Sequence, residues 1–293
     1  MQSIDLSKRA KFRVSGKDRV RYLNGQVSND VQKASEIEAI SACVTTSKGR
    51  LEGLIWISVD EKNQSFLIDS DPELRTTLFQ RLSKYIIADD VEIVDITEDY
   101  LLIHDLGQTQ SNGIKSNRYS IDGMDQWIRP GELEAGSDLI SENALESFRI
   151  SQGVPKWGNE LDHKTFPQEA LLDRTSIDFH KGCYVGQEII SRLESVGQVN
   201  RILVGLSFDP ETVPAPGWSL CDEKNNEVGT VTSVSNDKGA VLGLGYMKRN
   251  HCPVQANNVE KTLQSSVKIR DTPFIDSLAQ HSLIFTNAYT NGY

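Results

Sequence analysis

Short apolar runs separated by turn residues follow one another through the first hundred residues. In one of them Ile55, Ile57 and Val59 recur at every second position, which is the period of a β-strand. The turn Ser47-Lys48-Gly49 separates this run from the preceding one and predicts a hairpin. The strands predicted in this part of the chain are residues 11–14, 42–46, 51–59, 66–68, 91–93 and 101–103.

Other stretches carry helix signals. Asp71-Pro72-Glu73 supplies a capping residue, an N1 proline and an acidic first turn. Leu74, Leu78 and Leu82 then fall four apart as one apolar stripe, which predicts packing against a core. The other predicted helices are residues 18–23, ended by Asn24-Gly25, residues 141–151, ended at Gly153, and residues 187–193.

The pattern changes after residue 200. Residues 201–206 predict a strand, and from there short apolar runs alternate with turn signals, a spacing typical of a small all-β barrel. In the middle of the chain, polar residues 108–117 predict a loop, and residues 119–121 and 126–128 predict strands. Mixed helices and strands followed by an all-β unit predict an α+β fold.

Charge and composition narrow the function classes. The chain has 293 residues and a formal net charge of −10, which argues against broad adhesion to nucleic acid or membranes. The four cysteines, at positions 43, 183, 221 and 252, form no C-x-x-C pair and no zinc spacing. With no transmembrane-length run and no recognisable targeting segment, we expect a cytoplasmic, reducing location.

The segment Lys181-Gly182-Cys183-Tyr184-Val185-Gly186-Gln187-Glu188 carries the most specific chemistry. Cationic neighbours and a following helix N-terminus favour the thiolate of Cys183, the form that attacks or binds metal. The glycines allow a close backbone approach to a ligand. A small buried hydrophobe is the alternative reading of Cys183, because most free cysteines are of that kind.

This octapeptide resembles the KGCYxGQE signature of the YgfZ/IBA57 family, a branch of the folate-binding superfamily of the glycine-cleavage T-protein. Further segments are similar to that family and occur in the same order. They are residues 14–18, 22–31, 47–50, 148–155 and 166–169.

The resemblance implies a T-protein-like (GcvT-like) folate-binding fold of two mixed α/β subdomains and a small C-terminal β-barrel. We place the folate-binding module at residues 1–200, the barrel at 201–275 and a tail at 276–293. The resemblance also implies that the protein binds tetrahydrofolate and supports assembly or repair of iron–sulfur proteins. Its partners would be folate and iron–sulfur client proteins or assembly factors.

Two positions depart from the superfamily. Ser151 stands where the T-protein group has the glutamate that binds the pterin, so folate affinity depends on other residues, with Glu188 one candidate. The acidic pair that serves aminomethyl transfer corresponds to Glu52 and Gly53. The resemblance therefore predicts that glycine-cleavage aminomethyltransferase activity is absent, as is usual in the YgfZ branch, and leaves other catalysis open.

The candidate site residues each have a structural alternative. Cys183 and Lys181 are the candidates for chemistry, and Lys181 is also a candidate for a folate carboxylate. Tyr184 can stack on a pterin or simply pack. The other candidate folate contacts, which can equally cap a helix or face solvent, are Gln187, Glu188, Arg192 and Arg201.

Three hypotheses remain from the sequence. The first is a tetrahydrofolate-binding iron–sulfur assembly or repair factor with Cys183 as its key thiol. The second is a folate-dependent aminomethyltransferase or one-carbon transferase acting on an unknown amine, which Gly53 disfavours. The third is a thiol-redox protein without folate, for which Cys43 would have to approach Cys183 in space.

Overall fold

The computed structural model describes residues 2–107, 113–132, 138–208, 214–222, 226–237 and 239–251, together with two short strands at residues 261–263 and 267–269. The predicted tail at residues 276–293 lies outside the described residues, as does Cys252. The predicted domain boundaries at residues 200 and 275 stay predictions.

The described residues form sixteen strands and four α-helices. The strands are β1 Gln2–Asp5, β2 Ala10–Ser15, β3 Ile40–Thr45, β4 Leu51–Asp60, β5 Ser65–Ser70, β6 Glu92–Asp95, β7 Leu101–Leu106, β8 Ile114–Ser116, β9 Gly123–Ile128, β10 Asp138–Leu139, β11 Arg201–Phe208, β12 Ser219–Cys221, β13 Glu227–Asp237, β14 Ala240–Lys248, β15 Lys261–Leu263 and β16 Val267–Ile269. The helices are α1 Arg19–Gln26, α2 Arg75–Ser83, α3 Glu142–Ser151 and α4 Gln187–Ser195. None of the described helices has the length and apolar composition needed to cross a membrane.

The strands build three sheets. The first has the order β10-β1-β7-β9-β8 and is antiparallel except for the pair β1 and β10. The second, β3-β4-β5-β2-β6, and the third, β12-β13-β14-β11-β16-β15, are antiparallel throughout. The third sheet gathers the described strands after residue 200. The mixed α+β architecture predicted from the sequence is confirmed.

Three local predictions are wrong. Helix α1 passes through Asn24-Gly25 and leaves the helical conformation only at Val27, which is extended because it pairs with Val44 of β3. The predicted loop 108–117 contains strand β8, which pairs with β9. The predicted strand 119–121 is a turn in which Ser120 has a φ of 60°.

The leucine stripe of α2 packs into the main core as predicted. Leu74, Leu78 and Leu82 are buried in one cluster with Phe12 of β2 and Ile55 of β4. Helix α2 therefore covers one face of the second sheet, and the opposite face of that sheet is left to meet the rest of the molecule.

A buried charge network joins the first and second sheets. The Arg118 guanidinium donates to both carboxylate oxygens of Asp69 on β5, at 2.9 and 2.6 Å, and to those of Asp125 on β9. His104 Nδ1 lies 2.8 Å from Asp125 Oδ1. Burial opposes ionisation of Asp125, but the charge of Arg118 and the His104 hydrogen bond outweigh it and hold the pKa of that carboxyl below its usual range.

A second buried pair attaches the third sheet to α3. Arg149 Nη1 donates to Glu160 Oε2 at 2.9 Å, and Arg149 Nη2 donates to Ser233 Oγ on β13 at 2.6 Å. Glu160 Oε1 accepts from Ser233 Oγ at 2.6 Å and from Thr232 Oγ1 at 2.7 Å. The side chains of Arg149 and Glu160 are 5% and 0% exposed. Arg149 also pairs with Glu146, whereas the buried Glu160 carboxylate depends on Arg149 for its charge balance.

Replacing Arg149 with leucine should therefore destabilise the protein by about 3–5 kcal/mol, because the Glu160 carboxylate stays buried without its cation. Urea unfolding monitored by circular dichroism measures the loss. The double variant Arg149→Leu/Glu160→Leu should recover most of it, since no unpaired charge remains. Lys8→Ala, in an exposed pair with Glu142, is the control and should leave the midpoint unchanged. Equal midpoints for Arg149→Leu and the control would contradict this prediction.

Candidate functional site at the cysteine loop

The segment Val27–Asn29 runs along the outer edge of β3. Val27 pairs with Val44, Ser28 N donates to Cys43 O at 3.0 Å, and Cys43 N donates to Ser28 Oγ at 2.8 Å. These bonds satisfy backbone groups of an edge strand that would otherwise be open. Residues 27–29 therefore form a platform, and a later part of the chain packs against it.

The part of the chain that packs against this platform is the cysteine loop, residues 178–186. Asp178 N donates to Ser28 O at 3.0 Å, and Thr45 Oγ1 donates to Val185 O at 2.7 Å. Gly186 has a φ of +92°, and a Cβ added there would lie 2.5 Å from Thr46 O. Only glycine combines this backbone conformation with so close an approach to the β3–β4 hairpin.

The Lys181 side chain attaches the cysteine loop to the backbone of residues 24–29. Its Nζ donates to the carbonyl oxygens of Asn24 at 2.7 Å, Val27 at 2.9 Å and Asn29 at 2.7 Å. An ammonium group has three donors, so all of them are used. Burial lowers the pKa of Lys181 to about 8, against the opposing effect of the carboxylates of Asp30 and Asp178. The lysine predicted as a catalytic or folate-binding group is thus bound to backbone carbonyls of the chain itself.

Cys183 lies exposed at the tip of the loop as a free thiol. A Cβ added to the neighbouring Gly182 would meet nothing within 4 Å, so the space beside the tip is open. His180 is exposed as well, with its backbone N–H donating to Asp178 Oδ1 at 2.8 Å. The reading of Cys183 as a small buried hydrophobe is wrong, because the loop carries the thiol to the surface.

Tyr184 points inward. It is 8% exposed and packs with Ile177 and Ile190. Its ring centroid is 5.4 Å from Lys181 Nζ. Its hydroxyl is buried without a hydrogen-bond partner among the described residues, and burial raises its pKa. The ring therefore packs beneath the loop. Burying its hydroxyl without a hydrogen-bond partner costs free energy, which other contacts offset.

Cys43 lies beneath the loop. Ser41, Cys43 and Thr45 share one face of β3 because side chains alternate along a strand. Ser41 Oγ contacts Ser176 Oγ at 2.8 Å and Thr45 contacts Val185, so Cys43 sits between two points of the loop segment. Cys43 is completely buried, and burial raises its pKa to about 12. It is a buried thiol that a reagent reaches only if the loop opens.

The candidate residues of α4 lie beside the loop. The helix begins at Gln187 after the Gly186 cap, as predicted; Gln187 is half-buried, while Glu188 and Arg192 are exposed. Arg201 makes separate contacts at the start of β11. Its Nη2 is 3.2 Å from Glu169 Oε2, and its guanidinium lies 4.1 Å from the ring centroid of Tyr246.

The positions that depart from the superfamily are engaged in local contacts. Arg81 Nε donates to Glu52 Oε2 at 2.6 Å. A Cβ added to Gly53 would approach the side chains of Leu74 and Leu78 at 3.3 and 3.5 Å. Glu52 is therefore ion-paired, and the Gly53 position faces the leucines of α2.

The end of α3 presents an acceptor that sequence reasoning did not single out. Ser151 Oγ donates to Phe148 O at 2.7 Å. The neighbouring Gln152 is 2% exposed, and its Oε1 has no hydrogen-bond partner among the described residues. Gln152 lies four residues after Phe148, on the face of α3 that packs on Tyr119, with ring centroids 5.8 Å apart. No group of three or more histidine, cysteine or acidic side chains in the described residues is arranged to hold a metal ion.

The chain is similar to several known proteins in sequence and in structure. No family model matches the chain. A chloroplast protein of Arabidopsis thaliana, whose name assigns it provisionally to the transferases, is 28% identical over 93% of this chain and 71% of its own length. A mitochondrial homologue of the iron–sulfur cluster assembly factor IBA57 from Mycosarcoma maydis is 27% identical over 71% of this chain and 57% of its own length.

Among solved structures, the glycine cleavage system aminomethyltransferase T of Bartonella henselae matches with a TM-score of 0.77 and 16% identity, over 94% of this chain and 86% of that one. The fold is that of the glycine-cleavage aminomethyltransferases. Mitochondrial homologues of the iron–sulfur cluster assembly factor IBA57 and several bacterial aminomethyltransferases are thus among the proteins to which this chain is similar.

Removing the Lys181 cation should open the loop and expose Cys43. In Lys181→Met three carbonyls lose charge-assisted hydrogen bonds, each worth about 1.5–3 kcal/mol. We expect Cys43 to react with a disulfide reagent at least about tenfold faster than in the wild type, which corresponds to about 1.4 kcal/mol of easier local opening. Cys183 should react first in both proteins. Mass spectrometry of labelled peptides against time measures each site.

Lys33→Met is the matched control, because Lys33 is a more exposed lysine paired with Asp178 of the same loop at 2.9 Å. It should leave the labelling of Cys43 unchanged. If Cys43 in Lys181→Met reacts no faster than in this control, the three carbonyl contacts do not hold the loop closed.

Proposed function

We propose that this chain is a tetrahydrofolate-binding, YgfZ-like factor that supports assembly or repair of iron–sulfur proteins through the Cys183 thiol. The carrying observation is the exposed Cys183 at the tip of a loop whose base is fixed by Lys181. An exposed thiol on a fixed loop can reach a cysteine or a cluster at the surface of another protein. The mitochondrial relatives named as iron–sulfur cluster assembly factors support this choice of client.

Tetrahydrofolate binding rests on a second observation. The buried, unpartnered Oε1 of Gln152 stands beside Ser151, where the superfamily has its pterin-binding glutamate. An amide oxygen can accept from the donor edge of a pterin, so Gln152 supplies one contact that this group needs. When bound, tetrahydrofolate would supply a carrier for one-carbon units. Gln152 would orient the ring and Arg192 remains a candidate for the anionic tail, while Gln187 and Glu188 remain candidates for other polar contacts with the ligand.

The transferase alternative is less well supported. Transfer of a one-carbon unit to or from an amine needs a group placed to hold or accept the proton of the reacting nitrogen. Glu52 is paired with Arg81, and Gly53 faces Leu74 and Leu78. Neither position of the old acidic pair offers a free carboxylate.

The thiol-redox alternative would need a resolving cysteine in its thiolate form. Cys43 is buried, and its pKa of about 12 keeps the thiol protonated at neutral pH. For Cys183 we propose a reducing compartment, the cytoplasm by expectation, although the relatives compared above carry chloroplast and mitochondrial names.

The thiol role predicts a loss of function in cells. In a strain lacking the gene, Cys183→Ser should fail to restore the activities of iron–sulfur enzymes in cell extracts, because a hydroxyl neither bonds to sulfur nor replaces a thiolate ligand. Cys221→Ser is the matched control, since Cys221 is a free, partly exposed thiol on β12, and it should restore them like the wild type. Full restoration by Cys183→Ser at equal protein levels would rule the thiol role out.

The folate role predicts binding that depends on Gln152. An anaerobic calorimetric titration of tetrahydrofolate should give a micromolar dissociation constant, about −8 kcal/mol. Gln152→Leu should weaken it at least about tenfold, because the pterin edge loses its buried acceptor. Gln80→Leu, on the exposed side of α2, is the control. Absence of heat in the wild type, or equal affinities in all three proteins, would count against the assignment.

A further inference from the structure

A cleft of about 210 Å³ lies between β3 of the second sheet and β8 of the first. Residues 37–39, which precede β3, are fixed by Lys115 N donating to Ile37 O and by Ala39 N donating to Lys115 O, both at 2.8 Å. These bonds lay residues 37–39 alongside β8. The cleft is therefore bounded by β3 on one side and β8 on the other.

The floor of the cleft is polar and fixed in position. Asn29 and Ser41 are 7% and 6% exposed and form this floor, and the exposed Thr175 lines the cleft beside them. Asn29 Nδ2 donates to Ser41 O at 2.8 Å and to Thr175 O at 3.4 Å. Ser41 Oγ bonds with Ser176 Oγ at 2.8 Å. Because these side chains are already held in place, ordering them costs little conformational entropy when a ligand binds.

The rim carries charges of both signs. Glu38 and Lys115 form a parallel β-bridge, so their side chains leave it on the same side. Lys115 Nζ lies 3.6 Å from Asp122 Oδ2, beyond hydrogen-bond distance, and these side chains are 45% and 52% exposed. No hydrogen bond or ion pair joins the Glu38 carboxylate to another described residue. One ammonium and two carboxylates thus face the opening with bonding capacity to spare.

This composition excludes several ligand classes. None of the described residues around the cleft is aromatic, so nothing there would stack on a pterin or a nucleobase. A single lysine between two acids does not suit a phosphate. The volume is below the roughly 300–1,000 Å³ of sites for drug-sized ligands. What remains is a small molecule with a cationic and an anionic end.

We propose that the cleft binds a small zwitterion of amino-acid size. Lys115 pairs with the carboxylate of the ligand, and Glu38 and Asp122 pair with its ammonium, above the floor of Asn29 and Ser41. This binding site is separate from the thiol and from the acceptor at the end of α3.

The cleft is structurally linked to the cysteine loop through one residue. The side chain of Asn29 forms part of the floor, while its carbonyl oxygen accepts from Lys181 Nζ at 2.7 Å. A ligand that restrains Asn29 therefore also restrains one of the three supports of the loop. Slower labelling of the buried Cys43 in the presence of ligand would be the readout of this link.

Calorimetry with glycine, alanine and serine tests the proposal, with acetate and methylammonium as the separate halves of the ligand. We expect at least one zwitterion to bind with a dissociation constant of about 1 mM or lower, near −4 kcal/mol, and neither half to bind. Lys115→Met and Glu38→Gln should each weaken binding at least about tenfold. Lys62→Met, an exposed lysine outside the cleft, is the control and should bind like the wild type. Thermal melts monitored by circular dichroism verify that each variant is folded.

Three results would overturn the proposal: no heat from any zwitterion at millimolar concentration, equal binding of a half molecule, or affinities unchanged in both rim variants. Saturation with tetrahydrofolate separates this proposal from the folate assignment. Zwitterion binding that persists in its presence supports a site of its own. Competition between the two would mean that the cleft holds part of the folate, and it would overturn the proposal while leaving folate binding intact.

Discussion

The contact of the Lys181 ammonium with three backbone carbonyls is the interaction on which the site depends. The carbonyls of Asn24, Val27 and Asn29 belong to the end of α1 and to the platform along β3, whereas the lysine belongs to the cysteine loop. One cation thus connects a helix end, a sheet edge and the cysteine loop. A half-buried ammonium that uses all three of its donors is held rigidly, because any displacement breaks several charge-assisted bonds at once.

The sequence predicts those features that are encoded locally. The leucine stripe of α2 and the glycine before α4 follow from spacing and backbone freedom alone. The three carbonyl contacts of Lys181 cannot be predicted from the sequence. Every residue has a carbonyl, and only the tertiary fold brings these three together. Gly25 reads as a helix end but stays helical, because the pairing of Val27 with β3 decides where α1 stops. Strand β8 cannot be recognised from its polar sequence, because pairing with β9 stabilises it and its own composition does not.

Glu52 ties the β3–β4 hairpin to the neighbouring helices. Glu52 is a partner of Arg81, which also donates to Gln26 Oε1 at 2.9 Å and to Thr45 O at 3.1 Å. The hairpin therefore binds α1 and α2 to the strand that carries the platform. In the proposed function, Glu52 is part of the support beneath the exposed thiol.

The distance along the chain between Lys181 and its acceptors has a consequence for folding. The contact with Asn24 spans 157 residues, and that with Asn29 spans 152. Contacts of such high sequence separation form late, because the entropy of closing a long stretch of chain must be overcome first. During synthesis the platform is complete long before the loop that covers it has been made. The cysteine loop thus reaches this position only in chains in which α1 and β3 are already in place, so the display of the thiol reports on the assembly of the second sheet.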